Sequence, residues 1–501
     1  KDKSTRRVIS NMSLSYLLAD DHTTMLNIIE KILCHFESCF SRKAAFRWFV
    51  IIITGLMLRS DKLGVTSILR DLALAPGCYD SMLHFFRASS WSLEDIRKRW
   101  FSAVRLYAPL YKEGNFHVLV GDGVKQSKEG RRMPGVKKLF QESENSAKPE
   151  YMHGHMFGGL GILAGNFRSW ACIPLSIRLH DGLQAAREWK GASVSTASHV
   201  VQMVEDSYHA ALTFGDSLLL LDRYFLTVPA LEKLRELNNS GKVHMEIVTK
   251  AKKSCTAFQK PGPRKPGRGR PPKKGDAVHL KGLFASHKEQ FMETETELYG
   301  KKKTIRYYSI DLLWGQKLYQ ELRFVLVEMD GIQSILASTS LALDPLSIIR
   351  LYSYRFRIEC TFRELKQQTG AFCYHFWSKH MPKLSYYQKK GEPTPLERVE
   401  DERSRKKILK TVRAIEVHME LSCIAMGILQ TLSIRFIGKV CSSQIRYQRT
   451  PSKGRVSEAA LMHYFRKHFF RLLEQKPKSY ITQIIHELQE ESEKHWDFLA
   501  S

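Results

Sequence analysis

The chain has 501 residues and carries 78 lysines and arginines against 51 aspartates and glutamates, a formal net charge of +27. Folding needs no such excess, so the composition points to a polyanionic partner, with nucleic acid as the default. It argues against an inserted membrane protein or a disulfide-framed secreted one: the longest apolar runs, Trp48–Leu58 and Leu421–Ile434, fall short of the ~20 residues of a span, and the nine cysteines hold no Cys-x-x-Cys pair.

The expectation is therefore a cytoplasmic protein of roughly three domains with no membrane partner; position 1 is Lys, so further residues are expected to precede it. Residues 1–110 read as a helical region. Leu26–Phe40, Phe46–Leu58, Val65–Leu74, Tyr79–Ala88 and Leu93–Leu106 carry apolar spacing near 3.6, with Asp80 and Ser92 as expected N-caps. Ala75-Pro76-Gly77 breaks two of them apart, and with Arg70 and Arg87 nearby the pair is compatible with a helix-turn-helix DNA reader or with two packed helices. Over 111–250 the period shortens. Phe116–Val120, Met156–Leu163, Trp170–Arg178, Ser217–Leu221 and Val243–Val248 read as strands, with helices at Ser195–Leu212 and Val228–Leu237, which predicts a mixed sheet covered by helices.

Residues 251–342 are expected to form a β-rich insertion, with strands at Glu293–Leu298, Thr304–Asp311 and Leu322–Met329. Its Pro/Gly-rich basic loop around Arg268-Gly-Arg270-Pro271, flanked by Lys273 and Lys274, is similar to an AT-hook; a loop that only touches phosphates is the alternative. A helix is predicted over 346–369 within the segment 343–436, then a charged connector over 381–405. Long helices are expected at Lys407–Phe436, Glu458–Glu474 and Tyr480–Lys494, the last two in a helical C-terminal region, 437–501. The fold class expected is α/β (α+β).

Two acids follow apolar runs. Asp122 ends Phe116–Val120 through Gly121, and Asp222 ends Ser217-Leu-Leu-Leu-Leu. An acid at a buried strand tip is poorly solvated by its own segment, so it caps the next element or binds a cation. Tyr352, Arg355, Glu359 and Lys366 are offset by 3, 7 and 14, which at about 100° per residue sets them within roughly 60° on one helix face. Arg363 shares that face. Alone this is a solvated charged surface with a Glu359–Arg363 pair. Beside the two strand-end acids, the carboxylates supply the all-oxygen donor set that Mg²⁺ or Mn²⁺ prefers, and the cations and the phenol suit phosphates. His153-x-His155 and the scattered Cys360, Cys373, His375 and His380 lack zinc spacing. Asp181 is a rival acid, and Asp216, after Gly215, is expected in a turn.

Tyr352-x2-Arg355-x3-Glu359-x6-Lys366, Asp122 and the block Asp222-Arg-Tyr-Phe225 together resemble the DDE transposases of bacterial insertion sequences that bear the Tyr-Arg-Glu-Lys signature. The resemblance spans roughly 60–440. Tyr224 departs from it, standing where many relatives carry a small residue. It implies a ribonuclease H-like core interrupted by the β-rich insertion, a DNA-end-binding role for 1–110, and two divalent ions held by Asp122, Asp222 and Glu359. It also implies cut-and-paste transposition by a homodimer in a synaptic complex: nicking at the terminal inverted repeats, a hairpin that is reopened, then attack of the freed 3′ hydroxyl on target DNA. Tyr352, Arg355, Lys366 and Arg363 would contact that DNA, with Arg268 and Arg270 in the insertion and Lys125, Lys128, Arg131 and Arg132 after the first aspartate. Trp314 would stack on a displaced base, with ordinary sheet packing as the alternative. The other readings are a catalytically silent transposase-derived DNA-binding protein and a structure-specific nuclease on the same core.

Overall fold

The computed structural model describes residues 21–141, 149–166, 169–189, 198–262, 271–387, 392–436 and 455–489. The chain divides into two compact units, one of Lys1–Pro109, Glu364–Phe376 and Lys410–Ser501, the other of Leu110–Arg363 and Trp377–Leu409.

The first unit is helical. Helix Lys43–Leu58 is buried almost all round from Phe46 onward, which is why its sequence shows little polar face. It packs against helices Thr66–Asp71, Cys78–Arg87 and Glu458–Glu474. Ser92 caps Leu93–Tyr107 by accepting from Asp95 N at 3.2 Å. Asp80 does not cap: its helix begins at Cys78 after Gly77, which leaves Asp80 inside the first turn. Deep in this unit the Arg97 guanidinium meets the fully buried Glu420 carboxylate at 3.1 Å. Helix Glu402–Arg435 starts earlier than its apolar period suggested. It is long and apolar enough by composition to cross a membrane, yet its apolar window is wholly buried inside the protein, as expected of a core helix.

The second unit is built on a sheet of thirteen strands among the described residues. In chain order they are β1 Lys112–Glu113, β2 Phe116–Ser127, β3 Lys137–Phe140, β4 Tyr151–Asn166, β5 Ser169–Leu179, β6 Ser217–Leu220, β7 Met245–Ala251, β8 Thr256–Phe258, β9 Ala277–His279, β10 Met292–Leu298, β11 Lys301–Trp314, β12 Gln320–Met329 and β13 Ile332–Ser338. Strands β2, β6 and β7 run parallel, and β4 and β5 add antiparallel beside β2. Three antiparallel strands followed by two parallel ones are consistent with a ribonuclease H-like core. The strands of 251–342 extend the same sheet, because β13 pairs antiparallel with β7 and β12 and β11 follow it. Arg268 and Arg270 lie outside the described residues.

Helix coverage explains the sequence of the parallel strands. Helix His199–Phe214 packs against β2, β4 and β6, and helix Pro345–Tyr354 against β7, β12 and β13. Strands covered on both faces need apolar residues on both, and Val118 to Val120 and Leu218 to Leu221 are accordingly fully buried. At ~1.5–3 kcal/mol for each fully buried large apolar side chain, these runs anchor the centre of the sheet.

Two expectations about the chemistry-bearing segments change. Asp122 does not end its strand: β2 continues to Ser127 because β4 pairs with it past that point, Asp122 facing Gly159. The helix predicted over 346–369 is broken into Pro345–Tyr354, Arg357–Glu364 and a π-helical turn, Leu365–Thr369. Tight i→i+3 bonds, Arg355 N to Tyr352 O and Ile358 N to Arg355 O, interrupt it, so a uniform 100° per residue does not hold across the signature.

Candidate active site

The register of the sheet sets two of the acids. Val120 pairs with Leu220 at the end of the parallel ladder, so Asp122 and Asp222 each stand two residues beyond the carboxyl edge of that ladder, Asp222 past the end of β6 and Asp122 where β2 continues beside β4. That edge is where open α/β sheets place their chemistry. Asp222 also caps a 3-10 turn, Arg223–Phe225, by accepting from Arg223 N at 2.6 Å, and its carbonyl accepts from the Thr249 hydroxyl at 2.8 Å. Asp122 Oδ1 accepts from Gly123 N at 2.8 Å.

The third acid arrives on the broken helix. Asp344 caps Pro345–Tyr354, and Arg350 ties it to Glu113 at 2.9 Å. The next segment is pinned by Thr361, whose hydroxyl donates to Cys172 O of β5 at 2.6 Å in a buried contact. Phe362 lies against Gly159, where a Cβ would come within 2.5 Å of the ring. With the segment so fixed, Arg355 reaches Asp122 Oδ2 through Nη2 and Glu359 Oε1 through Nη1, each at 2.6 Å.

All three acids act electrostatically on this guanidinium, Asp122 and Glu359 in direct contact and Asp222 through space. Burial lowers the Arg355 pKa, but Asp122, Asp222 and Glu359 outweigh it and the net shift is upward. Burial raises the Asp122 carboxyl to about 6 against the pull of Arg355 and of the Gly123 N–H, with Asp222 and Glu359 pushing the same way as burial. Burial, then the Asp222 carboxylate, drives the Tyr352 phenol well up, so it stays a hydrogen-bond donor.

Three carboxylates are a hard, all-oxygen donor set, and in this respect they fit a divalent cation. Their geometry, however, is that of acids gathered on a guanidinium: among the described residues no group of three or more His, Cys, Asp or Glu stands at metal-binding spacing.

The basic residues after the first acid divide by role. Lys125 lines the cavity beside Asp122 and donates to Phe140 O at 2.8 Å. Lys128 is buried. Arg131 stacks on Tyr386, 4.6 Å from the ring centre. Arg132 donates to the carbonyls of Lys379 and Met381 at 2.7 and 3.0 Å, a structural use. Arg363 is exposed on the segment that carries Glu359. Lys366 falls in the helical unit, 5.4 Å from the Phe372 ring centre, and burial lowers its pKa. Trp314 donates to Cys255 Sγ at 3.1 Å.

The histidines and rival acids are structural. His155 is buried against Pro134 O at 2.9 Å, His153 packs on Tyr386, Asp216 accepts from His244 N at 2.8 Å, and Asp181 pairs with Lys137 at 2.5 Å.

Sequence reasoning missed Lys250 and Tyr299. Lys250 follows Thr249 on β7 and interacts with Asp222, Arg223 and Arg355; burial lowers its pKa, Asp222 opposes that, and the neighbouring Arg223, Lys253 and Arg355 cations add to it. Tyr299 occupies the β10–β11 turn at φ 54°, and its hydroxyl interacts with Arg355 and Tyr352. The Tyr299-Gly300 turn could have been read from sequence; its closeness to Arg355 could not.

The family described as DDE superfamily endonuclease matches residues 35–307. That span takes in Asp122 and Asp222 and stops short of Glu359, which the folded geometry alone brings to them. No curated protein sequence matches the chain.

Proposed function

Because the chain belongs to the DDE superfamily endonucleases, we propose that it is a DNA transposase of an insertion sequence, cutting and joining strands at terminal inverted repeats. Asp122, Asp222 and Glu359 are its catalytic carboxylates. The observation that carries this reading is the double engagement of Arg355, which draws the Glu359 segment onto β2 beside the end of β6.

Members of this family typically use divalent metals; Asp122, Asp222 and Glu359 would hold Mg²⁺ or Mn²⁺, two ions in the full reading, and such ions supply Lewis-acid activation of the attacking oxygen and of the phosphoryl group. The chain's own groups do the rest. Arg355 is released from the acids to a phosphate of the bound strand, where a planar fork of donors is well suited. Tyr352, kept protonated, donates to a second phosphate oxygen. Lys250 adds positive charge beside Asp222. The Tyr-Arg-Glu-Lys assignment also gives Lys366 and Arg363 a DNA contact, and the large positive charge steers DNA to the protein. A homodimer holding both element ends, a hairpin on the way to excision and a cytoplasmic, nucleoid-bound location complete the proposal.

The test is strand cleavage of a duplex ending in the element's inverted repeat, with Mg²⁺ or Mn²⁺. Nicking at the element's edge is expected in wild type and lost in Asp122→Ala, Asp222→Ala and Glu359→Ala. Cleavage that survives these substitutions refutes the assignment, and cleavage of branched DNA regardless of the repeat would select a structure-specific nuclease instead.

A further inference from the structure

Two residues of β5 hold the chain on either side of Arg355 and Glu359. Cys172 accepts the Thr361 hydroxyl through its carbonyl. Trp170, buried near the start of the strand, packs on Tyr354, the residue before Arg355, with ring centres 4.7 Å apart. The Tyr111 ring meets Trp170 edge-on at 4.5 Å and lies 6.1 Å from Tyr354, so the three rings form one cluster. Aromatic pairs prefer defined offsets and angles, so such a cluster fixes where Tyr354 stands as well as burying it.

The cluster is tied down through Tyr111 and Glu113. Tyr111 N donates to Leu163 O at 3.0 Å, and Leu110 bridges to Ala164, which fixes this stretch to the end of β4. The Tyr111 hydroxyl donates to Glu113 Oε2, while Glu113 Oε1 accepts from Arg350 at 2.9 Å. Burial, then the Glu113 carboxylate, pushes the Tyr111 phenol well up, so it keeps the proton this bond needs. An ion pair at Arg350 and a ring contact at Tyr354 thus grip the same helix, Pro345–Tyr354, one turn apart. Arg355 depends on that grip. Its Nη1 and Nη2 reach Glu359 and Asp122, but its Nε is buried and has no hydrogen-bond partner among the described residues. When the fork passes from the acids to a phosphate, those two contacts are given up, and the placement of the backbone decides what the guanidinium can reach. The helix stops at Tyr354, where Arg355 N donates to Tyr352 O at 3.1 Å, so a small rotation of Tyr354 swings Arg355 across the site.

We infer that Trp170, braced by Tyr111 and Glu113, is a positioning residue for Arg355: it sets the break in the signature helix so that the guanidinium faces first the acids and then the phosphate. This rests on the DNA-cleaving reading and adds to it a residue, outside both the signature and the acids, on which cleavage depends. Ordinary core packing would stabilise the fold without acting through Arg355, and that difference is measurable.

The experiment is a double-mutant cycle between Trp170→Leu and Arg355→Gln in the full chain. It is read by metal-dependent nicking of an inverted-repeat duplex, by duplex affinity without metal and by urea unfolding. Trp170→Leu is expected to lower kcat by up to about 10²-fold, the scale of a group misplaced by ~1 Å, with KM and affinity nearly unchanged. Trp170→Phe should regain most of that loss. In the Arg355→Gln background, Trp170→Leu should change kcat by less than about twofold. Glu113→Gln keeps the shape but breaks the pair with Arg350, and should repeat the pattern with a smaller loss; it carries the cycle if Trp170→Leu does not fold. Losses that multiply in the double variant would overturn the inference, because core packing acts on any background, and would leave the transposase reading standing. A fall in stability with kcat unchanged would do the same. Absence of nicking by wild type would overturn both.

Discussion

Arg355 and Asp122 are separated by 233 positions in the chain, yet Nη2 and Oδ2 meet at 2.6 Å. The guanidinium sits where carboxylates converge, balancing charge that metal ions would balance in a working complex. Replacing it with glutamine should leave Asp122 and Glu359 facing each other uncompensated. Arg355→Gln is expected to cleave roughly 10²–10³-fold more slowly, the usual loss when one charge-stabilising donor is removed. In thermal denaturation Mn²⁺ should raise the melting temperature of the variant by more than that of wild type. Equal metal responses would mean that the guanidinium does not share the site of the cation.

Thr361 is the joint between the Glu359 segment and the sheet. Thr361→Val keeps the shape and deletes the donor, leaving the buried Cys172 carbonyl short of a partner, at a cost of about 1–3 kcal/mol. Urea unfolding should register that loss, and kcat should fall more than KM rises because Glu359 is displaced while the DNA contacts persist. An unchanged midpoint would show that the hydroxyl contributes nothing to seating the helix.

What could be read from the chain alone follows a physical division. Runs such as Ser217–Leu220 are legible because parallel strands covered on both faces must be apolar throughout, and Glu458–Glu474 because a period of 3.6 persists between a Ser457 cap and its end. Strand β13 also has a sequence signal, the Asp330-Gly331 dipeptide between Met329 and Ile332, and both residues adopt the positive φ, 50° and 75°, that such a hairpin turn requires. The interruption at Arg355 is different in kind. Nothing in the sequence from Pro345 to Glu364 breaks a helix, since no glycine or interior proline is there, so periodicity alone extends it. Lys250 is illegible in the sequence for the same reason, its neighbours being supplied by register and packing.

His155 makes stability depend on pH. Burial lowers its pKa from 6.5 to about 3, with the Pro134 carbonyl opposing. The unfolded chain therefore binds a proton that the native state refuses between those values. The contribution is complete above the unfolded pKa and declines as pH falls below it, reaching a loss of about 2 kcal/mol near pH 5. His155→Gln should be less stable than wild type at about pH 8 but should lose less of its stability between about pH 7 and 5. Parallel curves for the two proteins in chemical denaturation across that range would rule out the buried neutral imidazole.

Arg97 and Glu420 form a buried pair at 3.1 Å, with the carboxylate side chain wholly enclosed. Removing Arg97 takes the ion-pair partner from an enclosed carboxylate, so Arg97→Met is expected to cost about 3–5 kcal/mol; Glu420→Leu is expected to cost less, since Arg97 keeps Glu94 at 2.6 Å. The double substitution replaces two desolvated charges by apolar side chains of similar reach and should recover most of that loss. Additive losses in a double-mutant cycle would show that the two residues do not act as a pair.

Gly159 is the place where a single methyl group should disturb chemistry without touching an acid. It pairs with Asp122 across β2 and β4, and a Cβ built on it would come within 2.5 Å of two Phe362 ring atoms. Phe362 has little freedom to yield, since the adjacent Thr361 is tied to β5 and the ring itself is buried. Gly159→Ala must therefore push the Glu359 segment away from Asp122 or distort the strand, at a cost of about 1–3 kcal/mol for overpacking. Phe362→Leu, made in the same chain, frees the space the methyl group needs. The expected result is a large loss of metal-dependent cleavage in Gly159→Ala, partly recovered in the double variant, with DNA affinity nearly constant in both. If affinity falls in step with cleavage and the second substitution recovers neither, the methyl group acts by unfolding the sheet and not by moving Glu359.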